Sequence, residues 1–486
     1  MPPNPKNEAL WYWTPPQQVE LPAAAGDGVR EDQTKLIRWL IWLYLALWLT
    51  EGALRRWFLP GLAGPLLLIR DPVVVAIYVA AYSKNLFPFN GFIYSGLALA
   101  LLTFFNAMIT GHGNPLVAAY GVRCDFLHVP LIFIMGRVLR REDLTALAKV
   151  VAWIALPYSL LLMLQFYSPQ SAWVNRGVGG SLDGAGFSGA LDRFRPPGTF
   201  SFITGVAQFY TFLTACWFAL VLARKMPAWL MICSGVAILV AVPISVSRGL
   251  FLCVAFVACA GVAALLVGGR LSASTLLRAA AAAVVLPLLA LQLPAFHDGM
   301  DAFTTRWTDA TTNNGGVKGA IVDRLLDDYF SSFATADLSG LGTGYSTNVG
   351  QSLLVDEVGF GASEGEWGRL IYDNGLLLGS LVLLYRVALT GAICLAALRA
   401  WRRRSPEGIV FASAAVLELL SGQWGQSTTL GAAAIGAGLA MAAANNFKPE
   451  SRKTGGVHKT ALFHAAGEGT PPAGHTKSGS LFWEPT

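Results

Sequence analysis

Apolar runs long enough to cross a bilayer recur along this chain, separated by polar links. Twelve runs centre on residues 36–58, 64–82, 91–110, 116–137, 144–166, 199–223, 228–246, 249–268, 276–295, 369–398, 407–423 and 427–445. A spanning helix needs about twenty predominantly apolar residues, and these runs approach that length. Most links are short, but two are long and polar, 167–198 and 296–368. The pattern predicts an all-α polytopic membrane protein of about twelve transmembrane helices, with its transmembrane domain over 36–446. Residues 1–35 and 447–486 are polar and are expected to be disordered tails. The first tail has no apolar stretch of the kind a cleavable signal needs, so the first span is expected to serve as the insertion signal.

Lysines and arginines set the orientation, because basic residues stay on the cytoplasmic side of short links. With the N-terminus inside, the inner links hold Lys84, Arg137, Arg140, Arg141, Arg224, Lys225, Arg270, Arg278, Arg399, Arg402, Arg403 and Arg404, while the short outer links 111–115 and 424–426 hold none. Both tails then lie in the cytoplasm, and 167–198 and 296–368 lie outside. Only 13% of residues are charged, about half the share in soluble domains, which fits a chain immersed in lipid. The net charge of +6 is spread over the inner links, so nucleic acid is not an expected partner. All six cysteines fall in apolar runs and read as small buried hydrophobes, and no close Cys or His pair has metal-ligand spacing.

Against this apolar background some charges stand out. Glu51, Arg55 and Arg56 lie in the outer part of the first span, Arg70 and Asp71 interrupt the second, and Arg123, Asp125 and His128 lie in the outer part of the fourth. Arg248 sits between the seventh and eighth. An intramembrane charge costs about 2.5 kcal/mol or more at a helix centre, so it faces a cavity or a partner. Ion pairs locking helices together would explain any one of them. Their collection toward one side favours an outward-opening polar cavity lined by Arg70, Asp71, Arg123, Asp125 and His128.

The glycines of 167–198 suit a mobile lid or a plain linker. Arg193 and Arg195 precede Pro196 and Pro197, which stiffen the return into the membrane and hold Arg195 near the mouth of the cavity. The larger loop carries Arg306, then an amphipathic helical run from Ile321 to Phe333 suited to packing or to the membrane surface. Its GLGTGY segment lacks the lysine and helix of a nucleotide P-loop and reads as turns. A loop of roughly seventy residues in a compact membrane protein is functional more often than connective. Glu364, Glu366 and Arg369 open the tenth span. Carboxylates at a helix start suit its dipole, and at the outer face one could also take a proton from a hydroxyl.

The layout resembles the O-antigen ligase and O-antigen polymerase family of bacterial membrane glycan transferases. The likeness is carried by the order of EGALRRWFLPG, LIRDPVV, YGVRCDFLHVPLIFIMG, RFRPPGTFSF, SVSRG, GLGTGY and DNGLLLG over residues 36–445, and by the long outer loop before the tenth span. It implies a GT-C-like helical fold and transfer of an undecaprenyl-diphosphate-linked glycan to an acceptor hydroxyl, at the periplasmic face of the inner membrane, with no cofactor or metal. Membrane lipid and a chain-length regulator or export protein would be further partners. By the same resemblance Arg195 and Arg248 would hold the diphosphate, joined by Arg306, since forked guanidiniums suit phosphate oxygens. Glu364 stands where ligase-like members carry a histidine, with Glu366 its rival as general base. That departure favours a polymerase-like transferase over a ligase. A transporter or flippase for a lipid-linked glycan is the alternative, but the chain shows neither the internal repeat nor the short outer loops that such a fold carries. A noncatalytic envelope scaffold is a third reading, against which the clustered outer charges weigh.

Overall fold

The computed structural model describes residues 27–184, 187–267, 281, 284–285, 287–313, 324–354, 365–403 and 405–445. Nine helices among these are long and apolar enough to cross a membrane. The first is α1 (Asp27–Ala53), continued by a π-helical turn at Leu54–Phe58. After two 3-10 turns come α2 (Asp71–Ser83) and α3 (Gly91–Ile109), which Asn90 caps by accepting from the Ile93 amide at 3.0 Å. Next, α4 (Pro115–Val122) runs through a second π turn, Arg123–Leu127, into α5 (Val129–Val138), followed by α6 (Arg141–Tyr167). Beyond a loop and a hairpin lie α7 (Thr204–Ala223), α8 (Ala228–Ile244) and α9 (Arg248–Val267). The larger loop contains α10 (Pro294–Asn313), α11 (Arg324–Thr335) and α12 (Asn348–Leu354), before α13 (Glu366–Arg402), α14 (Glu407–Leu420) and α15 (Ser427–Asn445).

Ten of the twelve expected runs appear as helices close to the expected bounds. Of the run 276–295, residues 281, 284–285 and 287–295 are described, helical up to Ala290 and then turning at 291–293 into the next helix. The run 407–423 is only the 14-residue α14, shorter than a bilayer is thick and mostly buried. It is short because Ser421 to Gln426 turn the chain directly into α15. That last helix is the packing centre, with 83% of its apolar window buried. Its glycines let neighbours approach closely, as small residues do between membrane helices. A Cβ on Gly431 would collide with Arg70 and Trp48, and one on Gly438 with Met135.

The loop 167–198, expected as a mobile lid or a plain linker, is instead a tied-down segment. The Asn175 side chain donates to the carbonyls of Gln165 and Ser168, both at 3.0 Å, and of Pro169 at 3.1 Å. Gln165 bonds the carbonyls of Val174 and Gly198. Arg56, fully buried, reaches into the same loop and donates to the carbonyls of Arg176, Gly198, Phe200 and Val174. Its charge therefore braces a loop. The antiparallel hairpin β1 (Phe187–Ala190) and β2 (Arg193–Arg195) follows, the only sheet among the described residues.

The tenth span is broken. Gly375 has φ +76° and ψ 174°, a conformation essentially closed to other residues, inside an otherwise continuous α13. The glycine-rich segment of the larger loop fills the break. Leu341 N donates to Tyr372 O at 2.9 Å, Gly342 N to Asp373 O at 2.7 Å, and Leu376 N to Asp337 O at 3.2 Å. Gly340 abuts Gly375 with no room for a Cβ, and Gly344 fits equally closely against Gly121 and Val117. The GLGTGY turns thus replace the missing helical hydrogen bonds, which no lipid could satisfy.

Candidate functional site

Charged residues fall into two contrasting clusters. The first surrounds the break in α13. Arg369 donates to Glu366 through Nε at 2.8 Å and Nη2 at 2.9 Å, to Asp125 at 2.5 Å, and to Asp373 at 3.4 Å. Arg386, three turns beyond the break, donates to Glu366, to Leu419 O at 3.1 Å and to Gly422 O at 2.9 Å, and its guanidinium lies 4.0 Å from the Trp424 ring centre. Asp373 also accepts from Ser346 N at 3.0 Å, which ties the larger loop to the network. All five charged side chains are at most 5% exposed. Beside them Ser346, Asn348, Gln423 and Gln426 line a cavity of about 20 Å³, enough for one water.

Glu366 is consequently occupied on both oxygens by guanidinium groups, and its Oε1 also accepts from the Trp424 amide at 3.3 Å. A carboxylate held between two guanidiniums braces the helix start and is a weak acceptor for a further proton. Glu364 lies outside the described residues. Sequence reasoning overlooked Arg386 and Asp373 altogether. The available signal was plain: an arginine and an Asp-Asn-Gly inside an apolar run each demand a partner or a break.

The residues expected to line an open cavity are paired within the helix bundle. Arg70 is fully buried and bonds Glu51 at 3.2 Å, the Tyr44 hydroxyl and Ser427 O; Glu51 in turn lies 3.6 Å from Arg55. Arg123 grips Asp71 with a two-pronged contact at 2.8 and 2.9 Å, and His128 lies 3.6 Å from the same carboxylate. Asp125 belongs to the Arg369 network. The cavity reading is therefore replaced by helix-to-helix ion pairing for Arg70, Asp71, Arg123 and Asp125, while His128 is buried among them with neither ring nitrogen hydrogen-bonded. The physical reason is that each charge gains more from a guanidinium or carboxylate a few ångströms away than from distant solvent. Both π turns, Leu54–Phe58 and Arg123–Leu127, carry these charges and aim them inward.

The second cluster lies at the expected outer face. Arg195 ends β2, Arg248 opens α9 and Arg306 is carried by α10. The tight turn preceding α9 gathers them: Arg195 Nη2 donates to Ser247 Oγ at 3.4 Å, and Arg306 Nη1 to Val246 O at 3.3 Å. Val246 sits at φ +47°, so the turn is strained for a β-branched residue. Among the described residues no carboxylate lies within ion-pair distance of the three, and the Nε of Arg195 is buried with no hydrogen-bond partner. Burial, then the charges of Arg306 and Arg248, push the Arg195 pKa down to about 9, and burial and Arg248 lower that of Arg306. The neighbouring Arg193 is satisfied differently, over the rings of Phe166 and Tyr167 and 3.8 Å from Asp298.

Three guanidiniums that repel one another, with no counter-ion among the described residues, have the charge and the donors to hold a multivalent anion. Among the described residues no group of His, Cys, Asp and Glu is arranged to hold a metal. No protein-family model matches this chain, and no curated protein sequence aligns with it significantly.

Proposed function

We propose that this protein transfers or polymerises a polyprenyl-diphosphate-linked glycan at the outer face of the bacterial inner membrane, as an O-antigen polymerase-like glycosyltransferase of GT-C-like architecture. One observation carries the reading: Arg195, Arg248 and Arg306 converge with no counter-ion among the described residues, on a membrane protein whose basic-residue asymmetry supports an outside position for them. A diphosphate is the anion of matching charge available there on a lipid. In glycosyl transfer the sugar–oxygen bond to the diphosphate breaks, and the acceptor hydroxyl's oxygen takes its place on the sugar. Negative charge then grows on the departing diphosphate, where fixed guanidiniums in a dry setting stabilise it. The acceptor's proton must pass to a base, for which Glu364 is the candidate, since Glu366 is committed to two arginines.

Full-length protein reconstituted with a lipid-linked oligosaccharide tests this directly. Chain growth should appear with the wild type and disappear with Arg195→Lys or Arg248→Lys, at unchanged protein abundance. Lysine keeps the charge and loses the fork. Loss of abundance instead of activity would reduce these arginines to structural roles. In cells, deletion should leave single repeat units. Long chains stranded on the carrier would indicate a ligase, and units trapped on the inner leaflet a flippase. Impermeant labelling of a cysteine at Ser346, and not at Ser405, in intact spheroplasts checks the orientation.

A further inference from the structure

One acidic side chain in the bundle has no place in either cluster. Glu418, on α14, is packed against α7, α9 and α15, in a pocket of about 10 Å³ lined by Trp48, Gln208, Thr211, Phe212 and Ala414. Among the described residues no cation lies within ion-pair distance of it. The nearest cationic neighbour, Arg386 of α13, already donates from all three nitrogens to Glu366, Leu419 O and Gly422 O. The other titratable group facing it is Cys253 of α9; α7 and α15 present only uncharged polar groups.

Among the described residues the sole side-chain donor to Glu418 is Gln208, 3.1 Å away, whose Nε2 also donates to Thr429 Oγ1 at 2.8 Å. Gln208 is 5% exposed, and its Oε1 is buried with no partner. A bare carboxylate inside the bundle is costly, so it requires a cation from outside the protein. A pocket of about 10 Å³ barely accommodates one water and leaves no room for a hydrated metal ion. The proton remains. A half-turn of the Gln208 amide would exchange its oxygen and nitrogen at the same two contacts. The amide oxygen could then accept from a protonated Glu418 and from the Thr429 hydroxyl. The pair can thus make good hydrogen bonds with the proton present or absent.

A route leads outward. One turn nearer the cavity beside Glu366, Thr204 on α7 bonds Gln426 at 3.3 Å, and Gln426 bonds Gln423; both glutamines line that cavity. Thr204 and Gln208 on α7, with Gln426 and Thr429 beginning α15, form a ladder of uncharged polar groups between the two helices.

We propose that Glu418 and Gln208 form a proton-binding site inside the membrane, loaded from the outer cavity along the polar ladder between α7 and α15. This stands apart from the glycan-transfer reading and holds even if that reading fails. The test is infrared difference spectroscopy on the full-length protein in nanodiscs, titrated with pH. A protonated-carboxyl band should titrate in the wild type and be lost in Glu418→Gln, which is isosteric with the neutral acid and keeps the fold. In Gln426→Leu the band should persist while its hydrogen–deuterium exchange slows. Absence of a Glu418-dependent carboxyl band at every pH where the protein stays folded overturns the proposal. So does a thermal stabilisation by sodium ions at fixed pH that Glu418→Gln abolishes, since the site would then bind metal.

Discussion

The network around Arg369 and the trio Arg195, Arg248 and Arg306 both place guanidinium groups where burial is costly, yet they are built on opposite plans. Around Arg369 and Arg386 stand three carboxylates, Asp125, Glu366 and Asp373, joined to them by direct hydrogen bonds. Around the trio the described residues supply only a serine hydroxyl and one carbonyl. Charges that have found partners hold helices together, whereas charges without partners have their binding capacity left over for a ligand. Identity of residue type says nothing about which is which. The neighbours decide.

The comparison can be broken most severely at Arg369. Replacing it with leucine leaves three carboxylates to share one guanidinium, and removing one partner of a buried pair costs about 3–5 kcal/mol. Arg369→Leu should therefore abolish accumulation of folded protein, read by detergent size-exclusion chromatography and thermal unfolding. Normal accumulation would mean that the network is not what secures α13.

Arg195 should behave in the reverse way. Arg195→Gln removes a repelling charge, so unliganded stability should hold or rise while glycan transfer falls by about 10²–10³, the usual cost of a lost donor to developing charge. The pH response sharpens this. The folded-state pKa of Arg195, about 9, is below its ordinary value, so the unfolded chain binds the proton more tightly. Stability without ligand should rise as pH climbs through about 9, and anion binding should weaken over the same interval. Arg195→Gln should flatten both trends; a wild-type protein whose unliganded stability falls there would contradict the unpaired-charge account.

Gly375→Ala tests the break that positions the first cluster. The alanine must adopt a backbone conformation costing about 1–3 kcal/mol, and its methyl would overlap Leu338 O. A lowered melting temperature is expected, together with loss of the contacts from 337–342. The smallest effect belongs to Arg141, whose side chain is 56% exposed and pairs with Glu407. Arg141→Lys should change stability by no more than about 1 kcal/mol and leave activity alone.

Much of this was legible in the sequence. Apolar run length located ten helices, and the motif order brought Arg195 and Arg248 together on one list with Arg306, which the fold then gathers on the 246–248 turn. What escaped was pairing. Asp71 could have met Arg70 or Arg123, and only the packing of α2 against the π turn at Arg123–Leu127 selects Arg123. Arg386 was hidden because three turns of apolar helix separate it from Gly375, and its partner Glu366 lies across the break. The loop at 167–198 looked mobile because glycine content reports what the backbone can do. It does not report that Asn175, Gln165 and Arg56 will tie it down.

The interrupted tenth span also constrains how the chain is made. Left alone in the translocon, α13 would offer lipid an arginine at 369, an aspartate at 373, a second arginine at 386 and unmet carbonyls at Tyr372 and Asp373, each unsatisfied group costing several kcal/mol. It is a poor candidate for independent release into the bilayer. The glycine turns that complete it are synthesised earlier and belong to the opposite side of the membrane in the proposed orientation. They must therefore have been exported before the helix arrives. Biogenesis of this protein is then a rendezvous: a nascent segment waits at the exit until its already translocated partner closes the gap.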